Sequence, residues 1–321
     1  MIKTRHRHLF GGLILAALLS QPASAYDLPS LNLGFTSFLD GAPPSGPGWY
    51  AQQYIQLYRS ARLKDSDGDN ALIPTPQGLR TAEVEANIGL TQLVYQSDQP
   101  LLLNGKWGLN LMLPYASLDL DPNNGPIQAS SAHLGDLLVG PFLQWDPIMG
   151  PKGPRFVQRV ELQMIFPTGD YDADKAINPG SNVFSFNPYW AATFFATPKW
   201  TVSWRLHYLW NAENNDPFSL LGVDDSQAGQ AMHLNFASAY EVIPQRLRLG
   251  LNGYALKEIT DKRLNGKRIR DSQEQVLGLG PGLVYHLSKH DHLFFNAYWE
   301  TEAENRPEGG RFNLRYVHHF H

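Results

Sequence analysis

Residues 200–210 read WTVSWRLHYLW and alternate between two kinds of side chain. The apolar or aromatic set is Trp200, Val202, Trp204, Leu206, Tyr208 and Trp210, and the polar set is Ser203, Arg205 and His207. The same period of two recurs in 246–256 (RLRLGLNGYAL), in 156–166 and in 82–90, where Val84, Ala86, Ile88 and Leu90 alternate with Glu83, Glu85 and Asn87. This period predicts β-strands with one apolar and one polar face. A soluble β-sandwich would alternate in the same way, so the pattern leaves the class open.

The N-terminus indicates the compartment. A basic region with Lys3, Arg5 and Arg7 precedes an apolar stretch from Leu9 to Leu19, and Ala23-Ser24-Ala25 supplies the small residues that a signal peptidase requires. The apolar stretch is too short for a membrane-spanning helix, which needs about 20 residues. We therefore predict a signal peptide over 1–25, cleaved after Ala25. A secreted chain without a helical span is either a periplasmic β protein or an outer-membrane barrel of a Gram-negative bacterium.

Twelve stretches have strand character, and the connections between them alternate in length. The candidates lie near 50–60, 82–96, 102–116, 134–146, 155–166, 185–196, 200–211, 230–241, 246–258, 275–287, 291–301 and 310–320. Bacterial barrels have an even number of strands, short periplasmic turns and long external loops. The sequence therefore predicts an all-β fold, a transmembrane antiparallel up-and-down β-barrel of about 12 strands over residues 49–321. Residues 26–48 hold four prolines and four glycines, and we predict a periplasmic or lumen-inserted segment there.

Aromatic residues stand near the predicted strand ends. On the apolar parity, one end carries Trp145, Trp200, Tyr240, Tyr285 and Phe320, and the other carries Trp210 and Trp299. Amphipathic rings favour the headgroup level of a membrane, so this arrangement predicts two aromatic girdles. In such a barrel we expect the apolar faces to contact lipid and the polar faces to line the lumen.

Charge and composition exclude several classes. The predicted signal peptide carries three basic residues and no acidic one, so the mature chain is more negative than the −4 of the whole chain. No basic patch stands out, so nucleic acid is excluded as a partner. The chain has no cysteine, so disulfides and thiolate metal sites are excluded. We predict no cofactor.

Several motifs resemble one family. LGDLLVGPFLQW (134–145), FPTGDYDADKAINPGSN (166–182), WNAENNDP (210–217) and GLGPGLVYHL (278–287) are similar to the MetA-pathway of phenol degradation family, a group of outer-membrane transporters. The resemblance runs from Gly41 to the C-terminus. It implies uptake of aromatic or other hydrophobic compounds, and it brings no catalytic residues.

Two further motifs suggest other chemistry. Asp65-Ser66-Asp67-Gly68-Asp69-Asn70 resembles a calcium loop, but an EF-hand requires Gly and Glu where this chain has Asn70 and Pro76. A solvated turn explains it better, and we predict no metal site. His286 and Ser288 have the spacing of the catalytic pair in outer-membrane phospholipase A, but they fall at the predicted periplasmic end and no Asn follows the serine. We predict that the protein is not an enzyme.

Polar side chains on the central strands are the candidate lumen and substrate-pathway residues: Arg159, Glu161, Arg205, His207, His233, Asn235, Arg248 and Asn252. Buried charges must be paired or hydrated, so they form either a structural network that fills the barrel or the wall of a narrow conduit. A barrel of 12 strands lies between filled barrels of 8 and open ones of 16–18, and both alternatives stay open.

The sequence thus predicts an outer-membrane channel for passive uptake of small hydrophobic or aromatic compounds. Its expected partners are these solutes, outer-membrane lipid and lipopolysaccharide, and the barrel assembly machinery. The alternative functions are a structural or adhesive barrel with partner-binding loops and, less favoured, a phospholipase-like enzyme.

Overall fold

The computed structural model describes residues 28–29, 31–43, 45–75, 78–120 and 130–320. The predicted signal peptide lies outside the described residues. Within the described ranges, no helix has the length and apolar character that a membrane crossing requires.

Twelve antiparallel strands form one closed barrel, which confirms the predicted fold class. Nine strands are continuous or nearly so: β1 Gly48–Leu63, β2 Val84–Leu102, β3 Gly105–Leu120, β7 Trp200–Asn211, β8 Ala231–Ile243, β9 Leu247–Glu258, β10 Gln275–His286, β11 Asp291–Glu304 and β12 Pro307–His319. Three strands are each split into two segments: β4 (Ser130–Leu134, Leu137–Gln144), β5 (Gly153–Glu161, Met164–Phe166) and β6 (Ser185–Phe186, Tyr189–Phe195). Each strand pairs with its neighbours along the chain, and the first pairs with the last, so that Tyr50 lies between Val94 and His319.

Burial alternates along the strands, and on β7 the buried face is the polar one that the sequence predicts. On β7, Arg205 and His207 are buried inside, whereas Trp200 is 47% exposed and Leu206 is 37% exposed on the outer surface. In a membrane barrel the outward apolar side chains contact lipid, so the bilayer covers them as a core would in a soluble protein. The alternation therefore places the polar residues of the central strands in the lumen.

The splits in β4, β5 and β6 lie side by side and reflect local chemistry. Pro188 cannot donate a backbone hydrogen bond, which interrupts β6. At the β4 split, buried Asp136 accepts hydrogen bonds from the backbone of Gly169 (3.0 Å) and from Ser181 (2.8 Å to N, 2.6 Å to Oγ). The carboxylate thereby ties the long connection after β5 to the barrel wall.

Short elements occupy the connections. They are the hairpin of Leu72–Thr75 with Gly78–Thr81, the small sheet of Ser226–Gln227, Arg263–Leu264 and Lys267–Arg268, the strand Ile148–Gly150, which pairs with β5, and a single 3-10 turn at Ser219–Leu221. All except Ile148–Gly150 lie at the end of the barrel that carries the long connections, called here the long-loop end; the other is the short-turn end.

Residues 28–29 and 31–43, called here the lumen segment, run through the interior of the barrel. The segment lacks a strand partner, so inward polar side chains satisfy its backbone. Asn235 accepts from Gly34 N (2.7 Å), Ser203 accepts from Leu39 N (3.0 Å), and Thr193 accepts from Gly41 N (2.9 Å). The segment enters from the short-turn end, where it joins β1, and its residues 28–29 and 31–35 reach toward the long-loop end.

Two features fit the lumen segment to its wall. Gly34 has φ +79°, and a Cβ there would lie 2.7 Å from the Tyr298 ring, so only glycine fits. Phe38 packs close to Gly282. A Cβ at this glycine would lie only 2.7 Å from the Phe38 ring. The wall glycine therefore makes room for the ring, and Phe38 is 1% exposed.

Candidate functional site

Candidate lumen residues of β5 and β7 meet around Tyr189 of β6, which the sequence analysis did not single out. Glu161 is fully buried and accepts from Tyr189 Oη (2.5 Å) and Asn110 Nδ2 (2.9 Å). Arg205 lies over the same tyrosine ring at 4.2 Å and donates two hydrogen bonds to Asp40 of the lumen segment. Arg159 lies over the Phe142 ring at 3.9 Å and donates to Gln144 Oε1 (3.0 Å).

The remaining candidates lie on either side of this cluster. His207 and His233 stack with ring centroids 4.0 Å apart, and His233 Nε2 lies 3.1 Å from Asn187 Oδ1. Asn235 holds the lumen segment through Asn32 O (2.7 Å) as well as Gly34 N. Arg248 lies apart at the short-turn end, where it pairs with Glu241 at 3.5 Å. Asn252 is buried on the same strand. All eight side chains are buried. Arg205 and Asn235 hydrogen-bond to the lumen segment, whereas the contacts given above for the others join residues of the wall.

A cavity of about 980 Å³ opens above the lumen segment at the long-loop end. Its floor includes Leu31, Leu33 and Phe35, and its roof includes Phe218, Leu221 and Leu264 of the connections. Its wall is mostly apolar and comes from β1 to β4: Tyr54, Tyr58, Val84, Ala86, Ile88, Leu90, Met112, Pro114, Ala116, Leu118 and Leu138. Charged groups, including Lys64, Asp65, Lys175 and Arg270, lie around the loops that line it.

The apolar wall corrects one expectation from the sequence. Val84, Ala86 and Leu90 were expected to contact lipid, but they are 7–8% exposed and line the cavity. Glu85 instead lies on the outer side, where it pairs with Arg59 at 3.5 Å. The expectation was wrong because period two assigns residues to two faces without saying which face is inside. Glutamates beside a lipid face would have been the signal that this end of β2 is inverted.

The residues of the two other motifs have local hydrogen-bond partners. Asp65 Oδ1 accepts from the backbone of Asp67 (3.0 Å) and Asp69 (2.9 Å), as in an ordinary turn. In the part of the chain that the structure describes, no three His, Cys, Asp or Glu side chains converge as metal ligands. His286 Nδ1 lies 2.7 Å from His292 Nδ1, whereas Ser288 Oγ donates to Asp291 (2.7 Å). The two residues of the phospholipase-like pair thus have separate partners.

The chain is similar to one protein family and to solved outer-membrane channel structures. The family model described as "Putative MetA-pathway of phenol degradation" matches residues 60–316. No curated protein matches the chain significantly. The crystal structure of the COG4313 outer membrane channel from Pseudomonas putida F1 aligns with a TM-score of 0.74 at 17% identity, covering 91% of this chain and 100% of that one. A Pseudomonas aeruginosa FadL homologue aligns with a TM-score of 0.41 at 12% identity, covering 93% and 100%, a score too low to support a conclusion. The likeness to the Pseudomonas putida channel establishes the fold of an outer-membrane channel.

Proposed function

Because the chain belongs to the family of the putative MetA-pathway of phenol degradation, we propose that it is a channel for passive uptake of small hydrophobic or aromatic compounds. It acts in the outer membrane, among lipid and lipopolysaccharide, after cleavage behind Ala25 and insertion by the barrel assembly machinery. The long-loop end faces the medium. No energy-coupling motif stands in the sequence, so transport follows the concentration gradient.

The apolar cavity is the observation that carries the proposal. Ligand sites usually have volumes of about 300–1,000 Å³ and mostly apolar walls, and this cavity of about 980 Å³ fits that description. A general porin needs a polar, watery lumen. Here Val84, Ala86 and Leu90 face inward, so a hydrophobic solute gains about 25 cal/mol for each Å² of apolar surface that leaves water.

The lumen segment controls the passage of a captured solute. Its Leu33 and Phe35 form the floor of the cavity, so a solute passes toward the periplasm only when the segment shifts. In our proposal the eight lumen residues, Arg159 to Asn252, play two parts. Arg205 and Asn235 hold the segment in the resting state through their hydrogen bonds to it, and all eight form the wall of the route when the segment moves.

Uptake by whole cells tests the proposal. Deletion of the gene is expected to slow growth on a dilute aromatic carbon source, where the outer membrane limits flux, and to leave growth on succinate unchanged. The parent gene restores growth, as does Glu85→Ala, which changes a half-exposed side chain of the outer surface and leaves the cavity lining intact. Ala86→Trp fills the cavity from the neighbouring position and is expected not to restore it.

The outcomes separate the alternatives. Equal growth of deletion and parent strains on every dilute aromatic would contradict uptake. An equal defect on polar and aromatic substrates would indicate a general envelope role, as a structural or adhesive barrel has. Outer-membrane amounts of each variant, measured by immunoblot, show whether a defect reflects assembly instead.

A further inference from the structure

A second, smaller cavity lies on the short-turn side of the lumen segment. Its volume is about 60 Å³, and it is bounded by Leu39, Asp40 and Pro43 of the segment and by β1, β2, β5 to β7, β11 and β12. Tyr54 lines both this cavity and the large apolar one. The two spaces therefore share Tyr54 as a common boundary.

Three arginines line this space: Arg159, Arg205 and Arg315. The single carboxylate in its lining is Asp40, and Arg205 occupies both of its oxygens at 2.6 and 2.8 Å. The nearby carboxylate of Glu161 accepts from Asn110 and Tyr189. Glu161 also interacts electrostatically with Arg159, so three arginines face two carboxylates, and the site keeps an excess of one positive charge.

Arg159 and Arg315 differ from the other buried arginines of the described barrel. Arg205, Arg311, Arg248 and Arg306 each have a carboxylate within 2.6 to 3.6 Å. Arg159 and Arg315, which are each 7% exposed, have none within 4 Å among the described residues. Their guanidinium groups lie instead over Phe142 (3.9 Å) and Phe294 (3.6 Å).

Both side chains also have hydrogen-bond capacity left over. Arg159 Nη2 and Arg315 Nε are buried and have no hydrogen-bond partner among the described atoms. A buried guanidinium without a counter-charge is costly, and an unsatisfied N–H adds to that cost. An anion between them would meet both requirements, since arginine binds carboxylates through paired N–H donors.

We propose that this cavity is a binding site for a monovalent anion, with Arg159 and Arg315 as its ligands. A water molecule needs about 10–15 Å³, and a cavity of about 150 Å³ holds benzene. A space of about 60 Å³ thus accepts a carboxylate group or a halide ion and excludes an aromatic ring. The anion is either a free inorganic ion or the carboxylate of an aromatic acid whose ring stays in the apolar cavity; the second source rests on the proposed function.

Crystals of the full-length mature protein soaked in sodium bromide test the site directly. We expect an anomalous peak in the cavity within hydrogen-bond distance of Arg159 Nη2 and Arg315 Nε. The peak is expected to disappear in Arg315→Gln and in Arg159→Gln and to persist in Arg246→Gln. Arg246 is exposed on a short turn, so its variant makes the same charge change outside the site. A wild-type cavity that holds only water would overturn the proposal.

Calorimetric titration identifies the source of the anion. If the site takes a solute carboxylate, sodium benzoate binds to the purified wild-type protein, bromide competes with it, and Arg315→Gln weakens binding at least tenfold. Bromide binding without benzoate competition assigns the site to inorganic anions. Benzyl alcohol, a neutral aromatic, tests the apolar cavity separately. Its failure to bind would count against the proposed function and leave the anion site intact.

Heat-modified migration on gels shows whether each variant has a folded barrel. Where Arg315→Gln fails to assemble, Arg315→Lys keeps the charge and removes the paired N–H donors. We expect it to assemble and to bind bromide and benzoate more weakly than the wild type. Full binding by Arg315→Lys would contradict the role given to the guanidinium.

Discussion

Asp40 of the lumen segment and Arg205 of β7 form a bidentate ion pair inside the barrel, with distances of 2.6 Å (Nη2 to Oδ1) and 2.8 Å (Nε to Oδ2). Both side chains are buried, at 8% and 6% exposure. The pair joins residues that are far apart in sequence, and it couples the position of the segment to the wall. Among the described residues it is the ion pair that links the lumen segment to the barrel wall.

Removal of the acidic partner is expected to release the segment. Asp40→Asn leaves Arg205 buried without a counter-charge, and breaking a buried pair in this way costs about 3–5 kcal/mol. We expect a larger single-channel conductance in planar bilayers, because the segment no longer stays in its resting place. Asp98→Asn, at an exposed position near the short-turn end of β2, is the matched control. The double variant, Asp40→Asn with Arg205→Gln, should destabilise the barrel less than Asp40→Asn alone. Unchanged conductance in Asp40→Asn would contradict the link between the segment and the wall.

Membrane orientation has its own test. The chain has no native cysteine, so single cysteines report their position cleanly. Asp67→Cys, Asn215→Cys and Lys267→Cys lie at the long-loop end and are expected to react with an impermeant thiol reagent on intact cells. Asp98→Cys and Lys199→Cys lie at the short-turn end and are expected to react only after lysis. The reverse pattern would show that the orientation is inverted.

The outer face of β9 is expected to tolerate no charge. Leu251 is 69% exposed near the middle of its strand, and an arginine facing lipid at the bilayer midplane costs about 2–4 kcal/mol. Leu251→Arg should therefore lower the stability of the refolded barrel in urea titration by that amount. Leu251→Ala, which removes apolar surface without adding charge, should lose less. Equal losses in the two variants would mean that this face does not contact lipid.

His286 and Ser288 are expected to support no lipid hydrolysis. Nucleophilic catalysis needs base and nucleophile within hydrogen-bond reach, and here the serine donates to Asp291 while the histidine contacts His292. Purified wild-type protein should release no fatty acid from phospholipid vesicles, and His286→Ala and Ser288→Ala should behave identically. Fatty-acid release that either change abolishes would establish an enzyme.

The sequence predicted the twelve strands because alternation and loop length are local properties. It also assigned the polar and the apolar residues of β7 to opposite faces, and Arg205 indeed lies inside and Trp200 outside. Sequence reasoning missed the apolar cavity, since Ala86 and Leu90 face inward on a strand whose glutamates face outward. It also left open where residues 26–48 lie, because a stretch rich in proline and glycine has no period to interpret.

The sequence alone determined the barrel, because each strand carries its own period and each connection its own length. Only the tertiary structure decided what occupies the lumen. Asp40 meets Arg205, Phe38 meets Gly282, and two buried arginines have no carboxylate within 4 Å among the described residues. None of these relations is local. They arise because closing twelve strands brings side chains from opposite walls, and from the lumen segment, to within a few ångströms, where charge and volume must be matched in a space that excludes most water.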